Sequence, residues 1–151
     1  MLEKSVIARV IRKVQPYVVS HSLTGAAMTA NGIPDRYFDL DTSHPMLPAS
    51  CTGSGDLWLE FKVCRSKADV LVKGEYTPMQ RRWLARRYAN GGNAFGVVAV
   101  EHGRHAKYAV QRGLLCELEN GTPARLLFSA EEVAQWITDW CCGSRRLLSK
   151  P

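Results

Sequence analysis

The stretch DLWLEFKVC, Asp56 to Cys64, decides how the whole chain is read. Side chains alternate faces along a strand, so Leu57, Leu59, Phe61 and Val63 share one face and Trp58, Glu60, Lys62 and Cys64 the other. The first set reads as core. The second sets an acid and an ammonium side by side on a rigid element, next to aromatic and apolar neighbours. Glu and Lys are rarely buried without a partner or a task. Chemistry is therefore expected to start on this strand.

A chain of 151 residues, 46% hydrophobic and 23% charged, suits one soluble domain with a substantial core, expected over residues 1–143 with a basic tail over 144–151. No apolar run approaches a membrane span, and MLEKSVIARVIRKV lacks the apolar block of a signal peptide. The expectation is a cytoplasmic protein with no membrane partner. The formal charge of +6, from 20 basic and 14 acidic residues, suits a polyanionic partner, although net charge also serves solubility. The five cysteines, at 51, 64, 116, 141 and 142, are odd in number and contain no C-x-x-C pair. That pattern argues against a disulfide framework and against structural zinc. His102 and His105 flank a Gly-Arg pair that reads as a hairpin tip rather than a metal pair.

Outward from the strand, residues 2 to 15 predict an amphipathic helix with Val6, Ile7, Val10 and Val14 in its apolar stripe, ended by Pro16. YVVSH reads as extended, SLTGAAMTANG as a small-residue loop, and PDRYFDL (34–40) as a strand. The Pro-, Ser- and Gly-rich loop DTSHPMLPASCTGSG, of roughly 15 residues, exceeds a usual connection and suggests a functional or mobile segment. T-P-M-Q at 77–80 forms a capping box with Pro at N1, opening a helix that carries Arg81, Arg82, Arg86 and Arg87 and stops at Gly91-Gly92. Like charges at i,i+4 cost some helix stability, which an anionic partner or full solvation would explain. AFGVVAV (94–100) reads as a central strand covered on both faces, and EHGRHAKYAVQ as a turn into another strand. Ser129 and Glu132 cap a last helix whose core face is Val133, Trp136, Ile137 and Trp140. The tail GSRRLLSKP reads as frayed, with Arg145 and Arg146 available to phosphate.

The order helix, three strands, basic helix, strand carries several polar residues at related places. G-I-P-D-R at 32–36, then E-F-K at 60–62, then T-P-M-Q-R-R-W-L at 77–84, together resemble the PD-(D/E)xK nuclease signature. They resemble its VRR-NUC branch, related to Holliday-junction resolvases and small phage endonucleases. The resemblance covers about residues 1–101 and implies an α/β, restriction-endonuclease-like core: a central mixed sheet flanked by helices in α-β-β-β-α-β order, to which the capped helix after Ser129 is an extra C-terminal element. It also implies Asp35, Glu60, Lys62 and Gln80 as catalytic residues. Asp35, Glu60 and the Phe61 backbone carbonyl would be metal ligands, with a helix-borne acid that fits Glu3. Glu3 is equally an acid in a first helical turn, favourable there without any metal.

Phosphodiester hydrolysis needs a cation that polarises a phosphoryl oxygen and lowers the pKa of the attacking water, and Mg²⁺ prefers a few carboxylates plus waters and substrate phosphate. Mn²⁺ would substitute. Lys62 would position and stabilise transition-state charge rather than act as a base. DNA, branched or duplex, is the expected substrate, held on its backbone by Arg36, Arg81, Arg82, Arg86, Arg87, Arg145 and Arg146; a homodimer is expected by analogy. The alternatives are a non-catalytic nucleic-acid-binding protein of the same fold and an RNA nuclease. Asp39, Asp41 and Asp56 read as solvated acids.

Overall fold

The computed structural model describes residues 3–23, 32–53, 55–64 and 71–150. Helix α1 (Glu3–Ile11) leads into strands β1 (Val18–Ser22), β2 (Arg36–Leu40) and β3 (Leu57–Val63). Strand β4 (Leu71–Val72) precedes helix α2 (Pro78–Gly91), and β5 (Ala94–His102) and β6 (His105–Arg112) form a hairpin. Helix α3 (Leu115–Asn120), strand β7 (Thr122–Pro123), a 3-10 turn (Ala124–Leu126) and helix α4 (Ala130–Cys141) complete the order. The class is mixed α/β, with a five-stranded sheet in the order β1-β2-β3-β5-β6 flanked by helices. Its pairs are antiparallel except β3 and β5, which run parallel across the α2 crossover. The β4–β7 ribbon and α3 were not foreseen; such short elements carry too few periods to show a pattern.

Strand β3 divides the core as its alternation predicts. Leu57, Leu59 and Phe61 are fully buried in a cluster with Val6 and Val10 of α1 and Trp136, Ile137 and Trp140 of α4. Ala94, Val98 and Ala109 pack on the opposite face with Leu84 of α2 and Leu118 of α3. Strand β5 is buried from Ala94 to Val100, as expected of a strand covered on both sides. Both capping boxes form: Thr77 with Gln80 at the start of α2, and Ser129 with Glu132 at the start of α4. Gly92, at φ 67°, ends α2 in the left-handed region.

Three expectations are corrected. The first helix stops at Ile11 rather than 15, because Lys13 and Val14 turn to tighter i−3 bonds with Val10 and Ile11. Pro16 disfavours helical backbone at Gln15, so the last turn unwinds ahead of it. The tail is not frayed: Trp136 Nε1 donates to the Arg146 carbonyl at 3.1 Å, and Lys150 reaches Glu132 at 3.2 Å. The third concerns cysteine. Cys51 is disulfide-bonded to Cys142 across 91 positions, and the N–H groups of Thr52, Gly53 and Gly55 donate to carbonyls of Cys141 and Cys142. The end of the 41–55 loop is thus clasped to the end of α4. Spacing rules see local pairs, and this pairing arises only from tertiary approach. Cys141 points instead into the core, where burial pushes its thiol up to about 12. Among the described residues no helix is long and apolar enough to cross a membrane.

Candidate active site

Strand pairing brings the acid of the P-D dipeptide to the E-x-K strand. Arg36 lies opposite Leu59 in the β2–β3 ladder, so Asp35, one residue earlier, falls beside Glu60 and Phe61. The contacts are reciprocal: the Asp35 backbone N–H donates to Glu60 Oε2 at 3.1 Å, and the Phe61 N–H donates to Asp35 Oδ2 at 3.2 Å. Lys62 Nζ stands 3.1 Å from Glu60 Oε1. Gln80 Nε2 donates to the same oxygen at 2.6 Å, while its own Oε1 accepts the Thr77 N–H at 2.9 Å. One side chain therefore caps α2 and fastens that helix to β3. The positive end of the helix dipole faces the Glu60 carboxylate. Gly32 explains the residue before Ile-Pro-Asp: at φ 73° it lies so close to α2 that a Cβ would stand 2.3 Å from the Met79 carbonyl oxygen.

Glu60 is 1% exposed, and burial is the main force on its ionisation. Burial first, then the negative charge of Asp35, push its pKa from the ordinary 4.5 up to about 7, against the pull of Lys62. Asp35 is also raised, by burial first, opposed by the Phe61 N–H and by the charges of Lys62 and Arg36. Two carboxylates thus share a site that favours one proton or a cation between them. The consequence for stability has a definite sign. Because the folded protein holds the Glu60 proton more tightly than the unfolded chain, this group's contribution is full below about pH 4.5 and is lost as pH rises through about 7. In EDTA, the unfolding free energy of wild type minus that of Glu60→Gln is expected to fall by roughly 3 kcal/mol across that window. Urea melts at several pH values check it, and a difference that stays flat would show that Glu60 is not buried as described.

The donor set fits a hard cation. Asp35 Oδ1 accepts no hydrogen bond among the described residues. Trp58 and Cys64 direct their N–H groups toward β5, and Phe61 directs its own toward Asp35. The N–H and C=O of one strand residue share an edge, so the Phe61 carbonyl emerges beside Asp35. Two carboxylates and a carbonyl suit Mg²⁺, which keeps several waters. Among the described residues, however, no group of three or more His, Cys, Asp or Glu gathers as a metal cluster. Glu3 lines a cleft of about 450 Å³ with Asp35 and Arg36, so it shares their side of the molecule without completing such a cluster.

The arginines divide. Arg82 and Arg86 are exposed on α2, whereas Arg81 donates to the Tyr76 carbonyl at 2.9 Å and Arg87 lies 3.4 Å from Asp56. Arg145 donates to the Gly55 carbonyl, before the start of β3 and away from the Lys62 end, and the Arg146 carbonyl is held by Trp136. Asp56 is more than a solvated acid: it also accepts from Trp58 Nε1 at 3.1 Å. Sequence reading missed a basic cleft of about 870 Å³ lined by Arg9, Arg12, Lys13, Arg104, His105 and Lys107. It meets the Asp35 cleft at Arg12 and includes the β5–β6 tip, beyond the carboxyl end of β3. The available signal was the cationic outer face of α1.

Comparison with protein-family models, with curated proteins and with solved structures finds no match to this chain.

Proposed function

We propose that the protein is a Mg²⁺-dependent DNA endonuclease of the PD-(D/E)xK type, with a restriction-endonuclease-like core. The observation that carries the reading is the convergence of four residues distant in sequence: Asp35, Glu60, Lys62 and Gln80 meet through contacts of 3.2 Å or less. The meander β1-β2-β3, the α2 crossover and the parallel return of β5 agree with what the motif resemblance implies. Bound by Asp35, Glu60 and the Phe61 carbonyl, Mg²⁺ would polarise the phosphoryl group and acidify the attacking water. Gln80 holds Glu60 in one orientation. Lys62, 17% exposed, faces both Glu60 and solvent and neutralises charge that develops on the phosphate. The basic cleft and exposed Arg82 and Arg86 hold backbone phosphates, which give affinity without sequence information. Branched or weakly specific duplex DNA is the substrate this favours, and by analogy a homodimer would serve two strands.

The test is incubation with plasmid and four-way-junction DNA in Mg²⁺, Mn²⁺ or EDTA. Cleavage in either metal and none in EDTA is expected. Intact DNA at high protein concentration in both metals would remove the reading. It would favour a nucleic-acid-binding protein without catalysis, a role for which Glu60, already satisfied by three donors, would be purely structural. Matched RNA in parallel reactions separates the two nuclease substrates.

A further inference from the structure

The face of the sheet that bears Glu60 also bears a row of rings. His21 lies opposite Tyr37 in the β1–β2 ladder, and Tyr37 opposite Trp58 in the β2–β3 ladder, so the three share one face. Trp83 of α2 closes the row. Successive ring centroids are 5.8, 4.5 and 5.0 Å apart. His21 is exposed and the other three are half-buried, Trp58 and Trp83 resting by one side on the cluster around Leu84, whereas Phe95 and Trp136 behind the sheet are buried. Trp58 stands two residues before Glu60, about 7 Å along the strand.

The row is rigid and cationic at its edges. The Trp58 indole N–H is fixed on Asp56 at 3.1 Å, and the Arg87 guanidinium lies 5.6 Å from the Trp58 ring centroid. Of the two acids at the row, Asp56 is paired with Arg87 at 3.4 Å and Asp39 is hydrogen-bonded to the His21 ring at 2.9 Å. Lys62, on the same face of β3 as Trp58, stands on the side of the proposed metal site. Aromatic faces beside the Arg87 guanidinium and a phosphate-facing lysine match a nucleic-acid strand whose bases are unstacked. A continuous duplex offers phosphates to such a surface but no base faces.

We propose that His21, Tyr37, Trp58 and Trp83 form a stacking platform for unpaired nucleobases, so that the site takes DNA with a single-stranded segment beside the cut. As a statement about the cleaved substrate this rests on the nuclease reading; the binding itself does not. Stacking is tolerant of sequence, because every base has a π face, and so it selects strand state rather than base order.

The test is fluorescence anisotropy in EDTA, with labelled oligothymidylate of about 16 nucleotides and a duplex of equal length. Wild type is expected to bind the single strand more tightly, with its tryptophan emission quenched. Trp58→Ala should lose about tenfold to a hundredfold on the single strand and less than about twofold on the duplex. Trp58→Phe should keep most of the affinity. Tyr37→Ala, at a neighbouring half-buried ring, should follow Trp58→Ala and guards against a folding defect, which thermal melts would report. Equal losses on both substrates, or no loss on either by folded variants, overturns the proposal. A single-strand preference in a protein that cuts nothing would keep the platform and remove the nuclease reading. Metal-dependent cleavage with no effect of Trp58→Ala on binding would do the reverse.

Discussion

Lys62→Ala is expected to lower metal-dependent DNA cleavage by about 10²–10³-fold, the usual cost of removing one group aimed at transition-state charge, while affinity for DNA stays within a few-fold. Lys62 has two separable effects. It would stabilise charge on the phosphate directly, and it also pulls down the pKa of Glu60. Without Lys62 the metal-free Glu60 holds its proton more tightly still, so part of the deficit near neutrality would come from a proton competing with the metal for that carboxylate. Assays at about pH 7 and about pH 9 distinguish the two. A deficit that persists at the higher pH belongs to the phosphate, and one that vanishes belongs to Glu60. Equal cleavage by variant and wild type at both values would sink the site assignment.

Gly32→Ala is expected to destabilise the fold by roughly 3–5 kcal/mol, lowering the melting temperature by about 10 °C, and to remove cleavage with it. Two costs combine there. The backbone at φ 73° is unfavourable for a residue with a Cβ, and that Cβ would stand 2.3 Å from the Met79 carbonyl oxygen and 2.7 Å from the Gln80 nitrogen. Those atoms belong to the first turn of α2, so relief of the clash displaces either Asp35 or Gln80. Gly92→Ala is the control. Its φ of 67° is similar, but nothing lies within 4 Å of the added carbon, so only the conformational cost of about 1 kcal/mol should appear. Melting curves for the two variants that overlap would show that the loop before Asp35 does not pack as described.

Much of the fold was legible because the sequence repeats its message at several levels. Leu57, Leu59 and Phe61 alternate with polar positions, T-P-M-Q and S-A-E-E state helix starts, and the apolar run of β5 states burial on both faces. The cluster of Asp35, Glu60, Lys62 and Gln80 was anticipated from motif order, yet its hydrogen bonds were not. Nothing in the string shows that Gln80 spends its oxygen on Thr77 and its nitrogen on Glu60. The same holds for Asp56, whose bonds to Trp58 and Arg87 exist only once β3 and α2 pack together. Long-range pairings escaped altogether. The Cys51–Cys142 bond, the returning tail and the basic cleft between α1 and the β5–β6 tip each join segments that no local period connects.

The Cys51–Cys142 bond also divides the chain topologically. It closes a covalent ring that contains β3, α2, β5, β6 and α4, and leaves α1, β1 and β2 as an arm outside it. Glu60, Lys62 and Gln80 belong to the ring; Asp35 belongs to the arm. The arm is joined to the rest by the β2–β3 ladder, the packing of α1 and the contacts of Asp35 itself. Partial opening of a native protein follows its weakest cooperative seam, and a cross-linked ring resists opening more than a free arm does. Peeling the arm away would therefore disarm the proposed centre by withdrawing one carboxylate, while the ring kept the other three residues together.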